Sequence, residues 1–291
     1  MFCIGTPKTV FVKLLILACC FAGLSMAVSA QSSSVGNEES TSLDAGFRQM
    51  YNLDFSAAHR TFEAWQQLYP ENPMGPAANA AAYLFSEFER LHILEIELFT
   101  NKDRLKKGQK PKADPVTKAS FESELAKADR LAADALARSA DDHDALFSRV
   151  LSDGLRGNYA ALIEKDDGQG LKFLKASRST AEKLIAMDPR YYDAYLAIGI
   201  ENYLLGVRSA PVRWMLKLSG AKPNKKEGIA KLKITAEKGH FLAPYARLLL
   251  AIAAVRDKDT STAISLLSGL AQEFPDNPLY RSELGRLRRA D

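Results

Sequence analysis

Ser219 and Lys222 are the residues whose types and spacing come nearest to a nucleophile and its helper. In a Ser-x-x-Lys pattern the serine hydroxyl attacks an acyl group with the lysine beside it. The Ser-Asp-Asn and Lys-Thr-Gly motifs that accompany this pattern are absent. Phosphate-binding loops, His-Glu-x-x-His and Gly-x-Ser-x-Gly are absent too. We therefore interpret the pair as a coincidence of spacing and predict that the chain is not an enzyme.

Two Glu-x-x-His pairs have the spacing of a helical metal motif: Glu89 with His92, and Glu237 with His240. Metal-binding carboxylate bundles need such ligands to point inward from four helices. His240 follows Gly239 and should lie beyond the end of its helix, which breaks that geometry. We predict exposed polar faces here, with no metal and no cofactor.

Residues 1–30 have the order of a secretory signal. Lys8 and Lys13 precede an apolar run over 14–24, and small residues follow up to Ala30. The run is shorter than the roughly 20 residues that span a bilayer. We predict cleavage after Ala30, a periplasmic or secreted protein, and a flexible polar leader over 31–42.

All three cysteines, Cys3, Cys19 and Cys20, lie in this signal. The predicted mature chain therefore has no disulfide, thiol nucleophile or thiolate metal site. Two alternatives stay open for the localisation. The signal is either uncleaved and anchors the chain, or a lipidated Cys19 or Cys20 tethers the chain to a membrane.

The charge balance is nearly even. The chain has 39 basic and 35 acidic residues, and loss of the signal removes only two lysines. Nucleic-acid binding requires a concentrated basic face, so we predict no nucleic-acid partner. The apolar fraction of 47% is ordinary for a globular protein and predicts a buried core.

The repeated spacing of small residues before proline stops indicates helical hairpins. A small residue marks the second helix of each unit at Ala58, Ala128, Ser177, Gly228 and Ala263, and prolines such as Pro70 and Pro275 end helices. Only the last two small residues are separated by about the 34 residues of a tetratricopeptide repeat. We predict one all-α, tetratricopeptide-like hairpin solenoid over 43–291, with long insertions, about ten to twelve helices and no sheet.

Several helix boundaries follow from this reading. We expect an alanine-rich helix from Ala77 to about Phe99, then a charged connector over 101–115. A helix over 121–139 follows, and a later break at 166–170 should precede a helix over 171–187.

The segment 193–232 resembles one family of repeat proteins. It contains Asp-Ala-Tyr-Leu-Ala-Ile-Gly-Ile-Glu-Asn-Tyr-Leu-Leu-Gly, then Pro211, Trp214-Met215-Leu216 and Lys226-Glu227-Gly228-Ile229. This is similar to the segment that distinguishes the tetratricopeptide family 39 or inclusion-body-clearance proteins and their bacterial relatives. The resemblance implies a non-enzymatic helical-repeat protein. The export signal departs from that family, so its cytosolic and lipid-droplet roles are not carried over.

The first helices of the units supply the candidate partner-binding residues. These positions are apolar and could form a concave groove for an amphipathic helix or an extended peptide. The alternative is that the insertions fill the groove and the same residues are core. The candidates are Leu84, Phe85, Phe147, Leu151, Leu155, Leu196, Ile200, Tyr203 and Leu204.

Two further segments could contact a membrane. The segment 211–219 predicts a short amphipathic helix, either a lid on neighbouring repeats or an interfacial contact. The connector 102–112 is basic, and is either a solvated loop or a contact for anionic lipid or an acidic partner. The helix candidates are Val212, Arg213, Trp214, Met215, Lys217 and Leu218.

We therefore expect an exported scaffold or adaptor that binds an unidentified protein or peptide through an apolar concave surface. The alternative is an envelope-associated adaptor that contacts the membrane through 211–219 and the connector.

Overall fold

A computed structural model of the protein describes residues 42–95, 111–206 and 224–290. Within these ranges the chain forms eleven α-helices, one 3-10 helix (Tyr192–Ala194) and no strand, which confirms the all-α fold. The α-helices are α1 (Leu43–Tyr51), α2 (Phe55–Leu68), α3 (Met74–Arg90), α4 (Pro115–Arg138), α5 (His143–Leu162), α6 (Asp167–Met187), α7 (Tyr195–Gly206), α8 (Lys225–Lys238), α9 (Ala243–Arg256), α10 (Thr260–Glu273) and α11 (Pro278–Ala290).

Most of these helices begin at a side chain that caps them. An Asp, Asn or Ser oxygen accepts a hydrogen bond from the backbone N–H three residues on. This N–H has no acceptor within the helix. The capping residues are Ser42, Asp54, Asp114, Asp142, Asp166, Asn224 and Asp259.

The helices pair into five hairpins, α1–α2, α3–α4, α5–α6, α7–α8 and α9–α10, and α11 packs on α10. The small residues that marked the second helices are buried at these contacts. Ala58, Ala128 and Ala263 are 0% exposed. The predicted register of the second helices is therefore confirmed.

Glycines bring α7 and α8 close together. A Cβ atom at Gly228 would lie 2.5 Å from the backbone nitrogen of Tyr203, and one at Gly199 would lie 2.9 Å from Leu232 side-chain atoms. No side chain fits at either position without a shift of the helices. Gly199 and Gly228 therefore allow α7 and α8 to pack closely.

The helix that was expected to reach about Phe99 ends at Arg90. His92 has a positive φ of 56°, and the Ile93 N–H donates to the Phe88 carbonyl across 2.8 Å. Together these form a Schellman-type stop, in which a left-handed residue turns the chain back on the last helical turn. The predicted length was wrong. Glycine in the left-handed position is the usual sequence signal of a helix end, but this position holds a histidine.

Two later helices begin earlier than the sequence predicted. α4 starts at Pro115, because Asp114 accepts from the Thr117 N–H at 2.8 Å and proline suits the first helical position. α6 starts at Asp167, because Asp166 caps it. Gly168 and Gly170, which belong to the predicted break at 166–170, therefore lie inside α6, and that prediction is wrong.

The stack curves until its two ends meet. The Tyr51 hydroxyl donates to the Phe241 carbonyl at 3.0 Å, and the Asn277 side-chain amide donates to the Tyr51 carbonyl at 2.8 Å. The Phe47 and Phe241 rings stack with centroids 4.9 Å apart. We call this meeting of α1 with residues 240–280 the closing contact.

The predicted signal and most of the leader lie outside the described residues, as do 96–110 and 207–223. Among the helices of the described ranges, none is both long and apolar enough to cross a bilayer.

Candidate functional site: an apolar cavity between the first helices

The candidate groove residues lie in the interior of the stack. Eight of them have described side chains, and all eight are buried. Leu204 lies in α7, but its side chain is outside the described part of the chain. The buried eight are Leu84, Phe85, Phe147, Leu151, Leu155, Leu196, Ile200 and Tyr203.

Five of these residues line one cavity of about 50 Å³. The cavity lies where the first helices of all five hairpins converge, since α1, α3, α5, α7 and α9 each contribute lining side chains. The five are Phe85, Leu151, Leu155, Leu196 and Ile200. Leu84, Phe147 and Tyr203 are buried elsewhere, and Phe147 packs on the ring of Tyr191 at 5.0 Å.

Gly154 leaves space on one wall of the cavity. A Cβ atom built there would meet only the Ser177 hydroxyl oxygen, at 3.6 Å. That hydroxyl is held by donating to the Val150 carbonyl at 2.7 Å. The wall at Gly154 can therefore accept extra apolar volume, whereas the wall at Ser177 is fixed.

The sequence did not single out the aromatic side chains that complete the cavity. Phe47 and Tyr51 come from α1, and Tyr245 comes from the start of α9. The Tyr245 ring meets the Phe85 ring edge to face at 5.2 Å, and burial raises the pKa of its hydroxyl to about 12. The one available signal was the apolar spacing of Phe47, Met50 and Tyr51, which gives α1 a buried face.

Asp193 is the carboxylate at the cavity wall, and its role is to build a turn. It accepts from the backbone N–H groups of His240, Phe241 and Leu242, at 3.0 to 3.1 Å. Burial raises the pKa of Asp193, and these three donors oppose that rise. Since both carboxylate oxygens are engaged by the turn before α9, this group is held as a structural anchor.

The C-terminal end of the basic connector is held against the last turn of α3. Glu87 is buried and accepts two hydrogen bonds from Arg90, at 2.6 and 2.8 Å, and one from the Asp114 N–H at 2.8 Å. Arg90 also donates to the Lys112 carbonyl at 2.7 Å, and its bonds to Glu87 raise its pKa. The connector's other basic residues, and all of 211–219, lie outside the described residues.

The two Glu-x-x-His histidines each have a different carboxylate partner. His92 ends its helix beside Glu95, while His240 follows α8 and pairs with Asp44 at 2.6 Å. In the described ranges, no three His, Cys, Asp or Glu side chains are grouped so that they could hold a metal. Ser219 and Lys222 lie outside those ranges.

In sequence comparisons, no protein-family profile and no curated protein matches this chain. The cavity and the surfaces around it are therefore the features of the described chain that bear on function.

Proposed function

We propose that this protein is an exported, non-enzymatic scaffold that binds a protein or peptide partner through its first helices. The observation that supports this proposal is the cavity at which all five first helices converge. Its lining is mostly apolar, so it favours burial of an apolar group. The export part of the proposal depends on residues 1–30.

The size of the cavity favours a side chain over a small-molecule ligand. Sites for drug-sized ligands measure about 300–1,000 Å³, and an engineered cavity that holds benzene measures about 150 Å³. A cavity of about 50 Å³ has room for one small apolar side chain. Such an anchor contributes about 1.5–3 kcal/mol when fully buried, so a partner needs further contacts around it.

Filling the cavity tests this proposal. Gly154→Leu places an apolar side chain in the open wall, and we expect it to weaken partner capture about tenfold by displacing the anchor. The matched control is Gly269→Leu in α10, where a Cβ atom meets nothing within 4 Å. Each chain would carry a C-terminal tag and be crosslinked in the native envelope before purification.

Equal capture by the Gly154→Leu chain and the wild type would contradict the proposed site, provided that both have the same helical circular dichroism. Export is tested separately by sequencing the N-terminus of the protein that cells release from the envelope. We expect it to begin at Gln31, and an intact N-terminus would contradict cleavage after Ala30.

A further inference from the structure

Helix α1 packs in a groove formed by α2 and residues 240–280, near the opposite end of the chain. We call this the α1 groove. Phe47 stacks on Phe241 and meets the edge of Phe62 at 5.5 Å, and Tyr51 lies 5.4 Å from the ring of Phe274. Both α1 side chains are buried, at 3% and 4% exposure. Phe241 and Phe274 follow α1 by about 190 residues or more, so these long-range contacts are part of the closing contact.

Polar groups of the groove fix the position of α1. The Phe241 carbonyl accepts from the Tyr51 hydroxyl, and the Asn277 amide donates to the Tyr51 carbonyl. The Asp276 N–H donates to the Asn52 side chain at 3.2 Å. His240 meets Asp44, in the first turn of α1, at 2.6 Å. The groove therefore has one set of partners for each end of a nine-residue helix.

The back of the groove is selective for glycine. α1 crosses α2 so closely that a Cβ atom at Gly46 would lie 2.3 Å from the Phe62 ring. A helix that lies here needs glycine directly before its first aromatic residue. It also needs apolar residues three and four positions after that aromatic, the spacing of Phe47, Met50 and Tyr51, which is typical of helix-in-groove recognition.

We propose that a partner binds as an amphipathic helix in the place of α1 and displaces it. The partner carries the pattern acid-x-Gly-aromatic-x-x-apolar-aromatic, as Asp44 to Tyr51 do. Displacement of α1 removes Phe47, Met50 and Tyr51 from one wall of the cavity. This inference rests on the proposed scaffold function and names the class of ligand that such a scaffold takes.

A peptide of α1 added in trans tests the groove. The probe is a fluorescein-labelled peptide of residues 42–54, titrated with the full chain and followed by fluorescence anisotropy. Phe47→Ala in the protein weakens its own α1, so we expect this chain to bind the peptide about tenfold more tightly than the wild type. Peptides carrying Phe47→Ala or Gly46→Leu should not bind.

A second variant covers the case in which Phe47→Ala unfolds the protein. Asp44→Ala with Arg48→Ala removes only rim contacts of α1, among them the Arg48 bond to the Glu273 carbonyl at 3.5 Å. We expect a smaller gain in peptide affinity from it, about threefold. If folded chains of both kinds bind the peptide no better than the wild type, the inference is overturned.

Locking α1 in place should abolish peptide binding, the opposite of the effect expected from weakening α1. Asp44→Cys with His240→Cys would be joined by a short bis-maleimide, in a full chain carrying Cys3→Ala, Cys19→Ala and Cys20→Ala so that no other thiol is present. We expect the joined chain to lose peptide binding and the same chain capped with N-ethylmaleimide to keep it. Equal binding by both overturns the inference.

The two proposals fail separately. If the locked chain captures the native partner as well as the capped chain does, the scaffold function stands and the place of α1 is not the binding site. If the peptide binds as expected while Gly154→Leu captures the partner normally, the groove is correct and the cavity is not the anchor site.

Discussion

The turn after α2 and the turn after α10 contain the same five-residue pattern, an aromatic residue, proline, an acid, asparagine and proline, at 69–73 and 274–278. Their local geometry agrees closely. In each, the aromatic N–H donates to the carbonyl four residues back at 2.9 Å. The asparagine oxygen in each accepts from the N–H two residues on, also at 2.9 Å. The same short sequence therefore makes the same turn twice.

The surroundings of the two turns differ completely. Tyr69 is 51% exposed, whereas Phe274 is 2% exposed because Tyr51 and Tyr280 pack against it. The amide of Asn72 reaches an exposed carboxylate of Asp144, while that of Asn277 reaches the Tyr51 carbonyl in the interior. Local sequence thus determines the turn, and the closing contact determines its burial.

The largest difference between the turns should come from their aromatic residues. Phe274→Ala removes a fully packed ring and should lower the free energy of unfolding by about 3–5 kcal/mol. Tyr69→Ala removes a half-exposed ring that lies 4.7 Å from the Trp65 ring, and should cost about 1 kcal/mol or less. Urea unfolding followed by circular dichroism measures both. Equal losses would mean that the closing contact does not form in solution.

The asparagines should differ in the same direction. Asn277→Ala leaves the buried Tyr51 carbonyl without its donor and should cost about 1–3 kcal/mol. Asn72→Ala loses bonds that water can replace and should cost about 0.5–1 kcal/mol. The same urea titrations measure this pair, and a larger loss at Asn72 would contradict the burial that separates the turns.

Much of the fold follows from local sequence because its signals are local. Small residues such as Ala58 and Ala263 mark helix faces that must approach closely, and prolines mark helix ends. Three helix ends carried no such signal. Leu53, His92 and Lys258 take left-handed φ values of 64°, 56° and 63°, although such positions usually hold glycine. Glycine and proline therefore do not mark every helix end in this chain.

The candidate site was predictable only in part for a related reason. The spacing of Leu151 and Leu155, or of Leu196 and Ile200, shows which face of one helix is apolar. It cannot show that Phe47 of α1 and Tyr245 of α9 meet the same cavity, because helix periodicity contains no information about contacts 200 residues apart. The missing residues are therefore those of the closing contact.

Alkaline pH should destabilise the folded chain through Tyr280, which packs beside the second turn. Burial raises the pKa of the Tyr280 hydroxyl, so the folded state holds it neutral. Its contribution to stability is complete below the ordinary tyrosine pKa near 10 and is lost as pH rises above that value, at about 1.4 kcal/mol per pH unit. Tyr280→Phe should therefore flatten the fall in urea stability above pH 10. A fall as steep as that of the wild type would contradict the burial of Tyr280.

The smallest effect should come from the ion pair at the rim of the closing contact. Asp44 and His240 meet at 2.6 Å, but their side chains are 60% and 65% exposed. Exposed pairs of this kind contribute about 0–1 kcal/mol and weaken as salt screens them. The corresponding pair near the first turn joins Glu71 to Arg138 at 3.6 Å and is also exposed.

Double-mutant cycles compare the two pairs: Asp44→Asn with His240→Gln, and Glu71→Gln with Arg138→Gln. At pH 5.5 we expect coupling energies below about 1 kcal/mol for both pairs, vanishing in 1 M salt. The buried rings of Phe47 and Phe274 then account for closure. A coupling at Asp44 that matches the loss from Phe274→Ala would reverse this order and make the closing contact electrostatic.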